Sequence, residues 1–162
     1  MRRLLLLSGL LPAVCLVAAC GSGGGSSSGG SSLPAVGHAT DTKTAPTVSA
    51  GASPAPTELK TKDLVVGGGQ EATPSSTVTV QYVGASYTDG KVFDSSWQRG
   101  QPATFSLAQV IPGFAKGIAG MKVGGRREVV IPPALGYGAA GAPPAVGPNE
   151  TLVFVIDLVG VQ

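Results

Sequence analysis

Residues 110–138 read VIPGFAKGIAGMKVGGRREVVIPPALGYG, and within them a helical period gives way to a strand. Phe114, Ile118 and Met121 fall at i, i+4 and i+7, one face of a short helix. Gly117 and Gly120 weaken that helix, so packing has to hold it. Arg127 to Ile131 reads as a strand ended by Pro132-Pro133. Working outward, Thr77 to Val83 alternates, with Val78, Val80 and Tyr82 on one face and Thr77, Thr79 and Gln81 on the other. Asp89-Gly90 is a hairpin-turn signal that leads into Val92-Phe93. Ala103 to Leu107 is a further short strand. Thr151 to Val161 is the last, with Leu152, Phe154, Ile156 and Leu158 on one face. Leu64-Val65-Val66 precedes them all and stops at Gly67-Gly68-Gly69. The pattern predicts an α+β domain: a curved antiparallel sheet of about five strands wrapped around one short α-helix.

The chain has 162 residues and a formal net charge of +2. From Glu58 onward basic and acidic residues are equal in number, eight of each. A neutral domain without a basic stripe excludes nucleic acid as the expected partner. The glycine run at 67–69 is not a phosphate loop, because no Lys-Ser/Thr pair follows it.

The N-terminus carries a targeting signature. Arg2 and Arg3 form a charged start, and Leu4 to Ala19 is apolar but short of the ~20 residues a membrane span needs. It ends in Val17-Ala18-Ala19-Cys20, which resembles a bacterial lipobox. That resemblance implies a signal peptide over residues 1–19, cleavage before Cys20, a lipid on Cys20, and an extracytoplasmic protein anchored to a bacterial membrane. An uncleaved anchor or a plain secretory signal are the competing readings. Cys15 would leave with the signal, so no second Cys remains for a disulfide. Residues 20–57, rich in Gly, Ser, Ala, Pro and Thr, read as a flexible tether with too few large apolar groups to offset ordering entropy. His38 lies there without ligand-like neighbours, and no metal is expected. The folded domain is expected over residues 58–162.

The segment from Val78 to Val161 is chemically unusual for an enzyme. It has no Cys, no His and no nucleophile beside a base; Ser95 and Ser96 have no His to activate them. Aromatic and branched aliphatic residues alternate instead, which suits a reaction that makes and breaks no covalent bond. Four stretches in order, VTVQYVG (78–84), DGKVFDSSW (89–97), residues 110–138 and TLVFVIDLVGV (151–161), resemble the FKBP-type peptidyl-prolyl cis-trans isomerases.

The resemblance implies a site and a partner class. The pocket would be formed by Tyr82, Phe93, Asp94, Val110, Ile111, Phe114, Tyr137 and Phe154. Phe114 would be the floor under a proline ring, and Phe93 and Phe154 would be walls. The Ile111 N–H and the Tyr137 hydroxyl would hold substrate carbonyls. Val146, Ala103 and Arg99 would border the substrate. Asp94 would be held by Tyr82 and Arg99; the alternative is a solvated carboxylate opening a turn. No cofactor is implied. The expected partners are proline-containing polypeptides and macrolide inhibitors, with the protein a monomer. A proline-directed chaperone or peptide-binding module with little turnover would use the same groove. Three positions depart from the best-known members: Phe114 where many have Trp, Ala103 where some have a second aromatic wall, and Ala142 where a His often sits. With the short loop between Phe105 and Val110, these predict a shallower or more open pocket.

Overall fold

The computed structural model describes residues 33–162. Eight strands and one α-helix follow in chain order: β1 Val36–Gly37, β2 Thr47–Val48, β3 Lys60–Val65, β4 Thr77–Ser86, β5 Val92–Ser95, β6 Ala103–Ser106, α1 Pro112–Ile118, β7 Arg126–Ile131 and β8 Leu152–Val161. Six of the strands form one sheet in the order β3-β7-β8-β4-β5, with β6 also on β4. Every pairing is antiparallel. β4 is long enough for two partners on one side: Thr77–Val80 pairs with β6 and Val83–Ala85 with β5. The α+β architecture read from the sequence is the one observed, with six strands where about five were expected.

The two faces of the sheet are covered differently. On the helix side, Val78, Val80, Tyr82, Val129, Ile131, Leu152, Phe154, Ile156 and Leu158 pack against Phe114 and Ile118 of α1 and Met121 beyond it. This is the period-2 pattern of β4, β7 and β8 meeting the helical period of α1. The helix lies close because Gly117 faces the sheet; a Cβ there would stand 2.6 Å from Val129. Arg127 donates to the Gly117 carbonyl at 3.0 Å and the Ala119 carbonyl at 3.3 Å, occupying acceptors that a seven-residue helix leaves open.

The opposite face corrects the tether reading. Residues 33–57 are ordered on the domain as a strap. β1 and β2 form a two-stranded ladder, and Pro34, Pro46 and Pro56 are buried. Leu33, Val48 and Ala55 pack on a second apolar cluster of Tyr87, Val130 and Val153. The Gly51 N–H donates to the Tyr87 carbonyl at 2.7 Å, and the Tyr87 hydroxyl donates to the Ala52 carbonyl at 2.8 Å. Arg126, fully buried, forms a bidentate pair with Asp157 and donates to the carbonyls of His38 and Thr44. Composition missed this because the strap brings few large apolar groups of its own and uses those of the sheet. Proline and alanine also lose little side-chain entropy on ordering. Cys20, the signal segment and the rest of the expected tether lie outside the described residues.

Candidate functional site

The site is built where α1 meets the sheet edge. Phe114 projects from the helix onto the rings of Tyr82, Phe105 and Phe154, with centroids 6.2, 5.6 and 5.2 Å away, all edge-to-face. Phe93, from β5, stands edge-on to Phe154 at 5.6 Å. Tyr82 meets Phe105 at 5.8 Å. Such pairs contribute about 0.5–1.5 kcal/mol each beyond the area they bury, so the aromatic walls hold one another without filling the space between them. The remaining space is a cavity of about 370 Å³.

Gly84 is what lets two of the walls converge. A Cβ at that position would stand 2.8 Å from the Phe154 ring and 2.9 Å from the Phe93 ring. It is the last residue of the VTVQYVG stretch, on the cavity side of β4 opposite Phe154.

All eight residues expected to form the pocket line this cavity: Tyr82, Phe93, Asp94, Val110, Ile111, Phe114, Tyr137 and Phe154. Phe105 and Gln109 line it as well. Phe105 answers the expectation attached to Ala103. Ala103 packs against the core and does not line the cavity, whereas Phe105, two residues on along β6, supplies an aromatic wall. The period of a strand was the available signal: residues i and i+2 share a face. Val146 is also placed differently from expectation. Its side chain is core, and its backbone closes the 142–146 loop through reciprocal bonds with Ala142 at 2.9 and 3.0 Å.

The polar rim is a three-residue network. The Tyr82 hydroxyl donates to Asp94, and Arg99 donates to Asp94 and, at 2.8 Å, to the Tyr82 hydroxyl. The guanidinium carbon lies 5.5 Å from the Tyr82 ring centroid. Burial and the adjoining Asp94 push the Tyr82 hydroxyl up to about 12. Burial acts to raise the Asp94 carboxyl, but the hydrogen bonds from Tyr82 and Arg99 outweigh it and hold the group below the usual carboxylate range. The Asp94 alternatives left open by the sequence resolve to the network. Arg99 and Asp94 keep more than two-fifths of their side-chain surface exposed, so water screens their attraction and the network acts chiefly by orientation. Ser96 is structural: its hydroxyl accepts the Tyr82 N–H at 2.8 Å and donates to Gln81.

The donors at the cavity that have no protein acceptor among the described residues include the two expected to hold substrate carbonyls. One is the N–H of Ile111, the residue that precedes α1; the other is the hydroxyl of Tyr137, which is 39% exposed. Among the described residues no group of three or more His, Cys, Asp or Glu side chains could hold a metal. An apolar ring-lined cavity with two outward donors can take an apolar ring and bond the carbonyls beside it.

Comparison with known proteins agrees with this geometry. Residues 68–159 match the FKBP-type peptidyl-prolyl cis-trans isomerase family. The chain is 49% identical over 106 residues to the probable FK506-binding protein of Corynebacterium glutamicum, covering 65% of this chain and 89% of that one. It is 50% identical over 109 residues to the FK506-binding protein of Streptomyces anulatus, covering 65% and 88%. The crystal structure of FkpA from Escherichia coli superposes with a TM-score of 0.62 at 44% identity, over 65% of this chain and 49% of that one. The aromatic cavity, its polar rim and these matches together make the chain a member of the FKBP-type peptidyl-prolyl cis-trans isomerase family.

Proposed function

We propose that the 370 Å³ cavity is where this isomerase takes up the proline of an Xaa-Pro bond and accelerates its rotation by desolvation and shape. Resonance gives the amide a rotational barrier of ~18–20 kcal/mol. The twisted transition state has lost that resonance and is less dipolar than the planar amide, so an apolar enclosure favours it relative to the ground state. A ten-thousandfold acceleration needs only about 5–6 kcal/mol, at ~1.36 kcal/mol per decade. Phe114 is the floor for the proline ring, Phe93, Phe105 and Phe154 are walls, and the Ile111 N–H and Tyr137 hydroxyl bond substrate carbonyls. Asp94, kept ionised by Tyr82 and Arg99, fixes the rim of the cavity.

The observation that carries this reading is that five aromatic rings, Tyr82, Phe93, Phe105, Phe114 and Phe154, pack edge to face on one another and still leave an open cavity of about 370 Å³ that they all line. The test is exchange catalysis on a short Xaa-Pro peptide by wild type and Phe154→Ala. Wild type should catalyse and the variant should lose most of the acceleration; an unaffected variant would remove the cavity from the mechanism. A macrolide of the FK506 class should compete for the same space. The clients are exported polypeptides, and the protein is held at a membrane by lipid on Cys20; the lipobox-like VAAC stretch supports this. Cys20→Ala should shift the protein from the membrane to the soluble fraction.

A further inference from the structure

Phe93 lines two cavities: the proposed catalytic one and a second of about 310 Å³ between the β4–β5 hairpin and the 144–150 loop. We infer that this second cavity is a subsite for the residues flanking the proline of a bound polypeptide, and that it selects a basic flank over an acidic one. The inference rests on the catalytic reading of the first cavity.

Continuity names the occupant. A polypeptide whose proline ring sits in the first cavity has to leave over its rim, and the second cavity adjoins the first at Phe93. It is large enough for side chains, at the lower end of the sizes that hold small ligands. Val92 and Pro144 give it an apolar side that tolerates varied sequence. Charge gives the preference. Asp89 and Glu150 face the cavity together with Lys91, leaving an excess of one negative charge. Both carboxylates are fixed by backbone donors: Asp89 accepts the Lys91 N–H at 2.9 Å, and Glu150 accepts the Gly147 N–H at 2.6 Å. The Lys91 ammonium, on a flexible stem, makes no ion pair among the described residues. Two pre-oriented anions therefore face an incoming side chain, while the one cation is free to swing into water.

The test uses Xaa-Pro peptides that differ only in one residue two or three places from the proline, on either side: Lys, Gln or Glu. Wild type should turn over the Lys peptide about fivefold faster than the Gln peptide, and the Gln peptide about fivefold faster than the Glu peptide, in kcat/KM at low salt, from a charge pair near 4 Å in water, and both ratios should fall toward one as salt is added. The double variant Asp89→Asn, Glu150→Gln keeps both backbone acceptors and converts the excess to one positive charge. It should reverse the order of Lys and Glu and leave the Gln peptide unchanged. Equal rates for all three peptides in wild type, or a preference that the double variant does not alter, would overturn the subsite and leave the isomerase reading standing. No turnover of the Gln peptide would overturn the isomerase reading, and the subsite with it.

Discussion

The two faces of the sheet solve opposite problems. On the helix side, Phe93, Phe105, Phe114 and Phe154 come edge to face yet leave 370 Å³ between them. On the strap side, Tyr87, Val130 and Val153 are sealed by a segment contributing little more than Leu33, Val48, Ala55 and buried prolines. That face also buries ionisable groups: Arg126, Asp157 and Glu128 are all nearly inaccessible. One face leaves a cavity between rings that touch edge to face; the other uses small residues and backbone carbonyls to close over charge. On the proposed function, stability and catalysis fall to different surfaces of the same three strands.

Removing the strap is the largest perturbation this division predicts. Deletion of residues 21–57 would uncover the Tyr87 cluster and strip Arg126 of the His38 and Thr44 carbonyls. A loss of about 3 kcal/mol, from apolar area and net hydrogen-bond contributions, would lower Tm by roughly 10 °C. Activity on a short peptide, measured well below the new Tm, should change little. An unchanged Tm would mean the strap does not hold the fold. A matching loss of kcat/KM would mean that the strap reaches the Phe93 wall through the Tyr87 hairpin, and the division of labour would fail.

Glu128 sharpens the comparison next. It shares a strand face with Arg126 and Val130, opposite Lys62 across the β3–β7 pair, and its Oε1 has no partner among the described residues. Burial, partly offset by Lys62, pushes its carboxyl up to about 7 from 4.5. A raised carboxyl contributes its full share of stability below the unfolded value, and that share is lost as pH rises through the folded value. Stability should therefore fall between about pH 4.5 and 7, by on the order of 3 kcal/mol at ~1.36 kcal/mol per unit. Glu128→Gln should flatten the curve and be the more stable protein at pH 8. If Tm rises with pH across that window, or if the variant keeps the wild-type slope, Glu128 is not the group responsible.

Most of the helix side was legible in the sequence because periodicity and turn chemistry both point there. Val78, Val80 and Tyr82 alternate, Phe114 and Ile118 keep helical spacing, and Asp89-Gly90 makes its turn with Gly90 at a φ of +72°. The eight cavity residues came from four separated stretches that only a family pattern could join. Phe105 was hidden behind Ala103, although strand period puts both on one face. The strap was not legible at all. Its order depends on Arg126, Tyr87 and Val153, which lie tens of residues away and read from sequence as ordinary strand positions; composition reports what a segment can bury by itself, not what it can borrow.

Gly84→Ala tests the helix side with a smaller change. The added methyl would meet Phe93 and Phe154 inside 3 Å, so one wall has to move. Overpacking of this kind costs about 1–3 kcal/mol. The expected result is a loss of about tenfold in kcat/KM and in macrolide affinity, equivalent to ~1.36 kcal/mol, with the pH dependence of Tm kept. Wild-type activity in a folded Gly84→Ala protein would show that the spacing of the two rings is not what the reaction uses.

The smallest expected effect is the most discriminating. The groups at the cavity rim are displaced away from neutrality: Tyr82 up to about 12, Asp94 downward, and Arg99 upward through its bonds to Tyr82 and Asp94. None changes charge between about pH 6 and 9, and no His lies in the domain beyond His38 in the strap. The proposed chemistry also transfers no proton, so nothing in the rate should track one. Activity per folded molecule should stay flat across that range even as Tm drops over its lower end, up to about pH 7, with the ionisation of Glu128 behind the sheet. Parallel pH series of kcat/KM, at a temperature where wild type is fully folded, and of Tm would read the two faces independently. A bell-shaped activity profile would mean that a titrating group takes part in catalysis. An activity that followed Tm downward, and was rescued by Glu128→Gln, would mean the strap side controls the cavity after all.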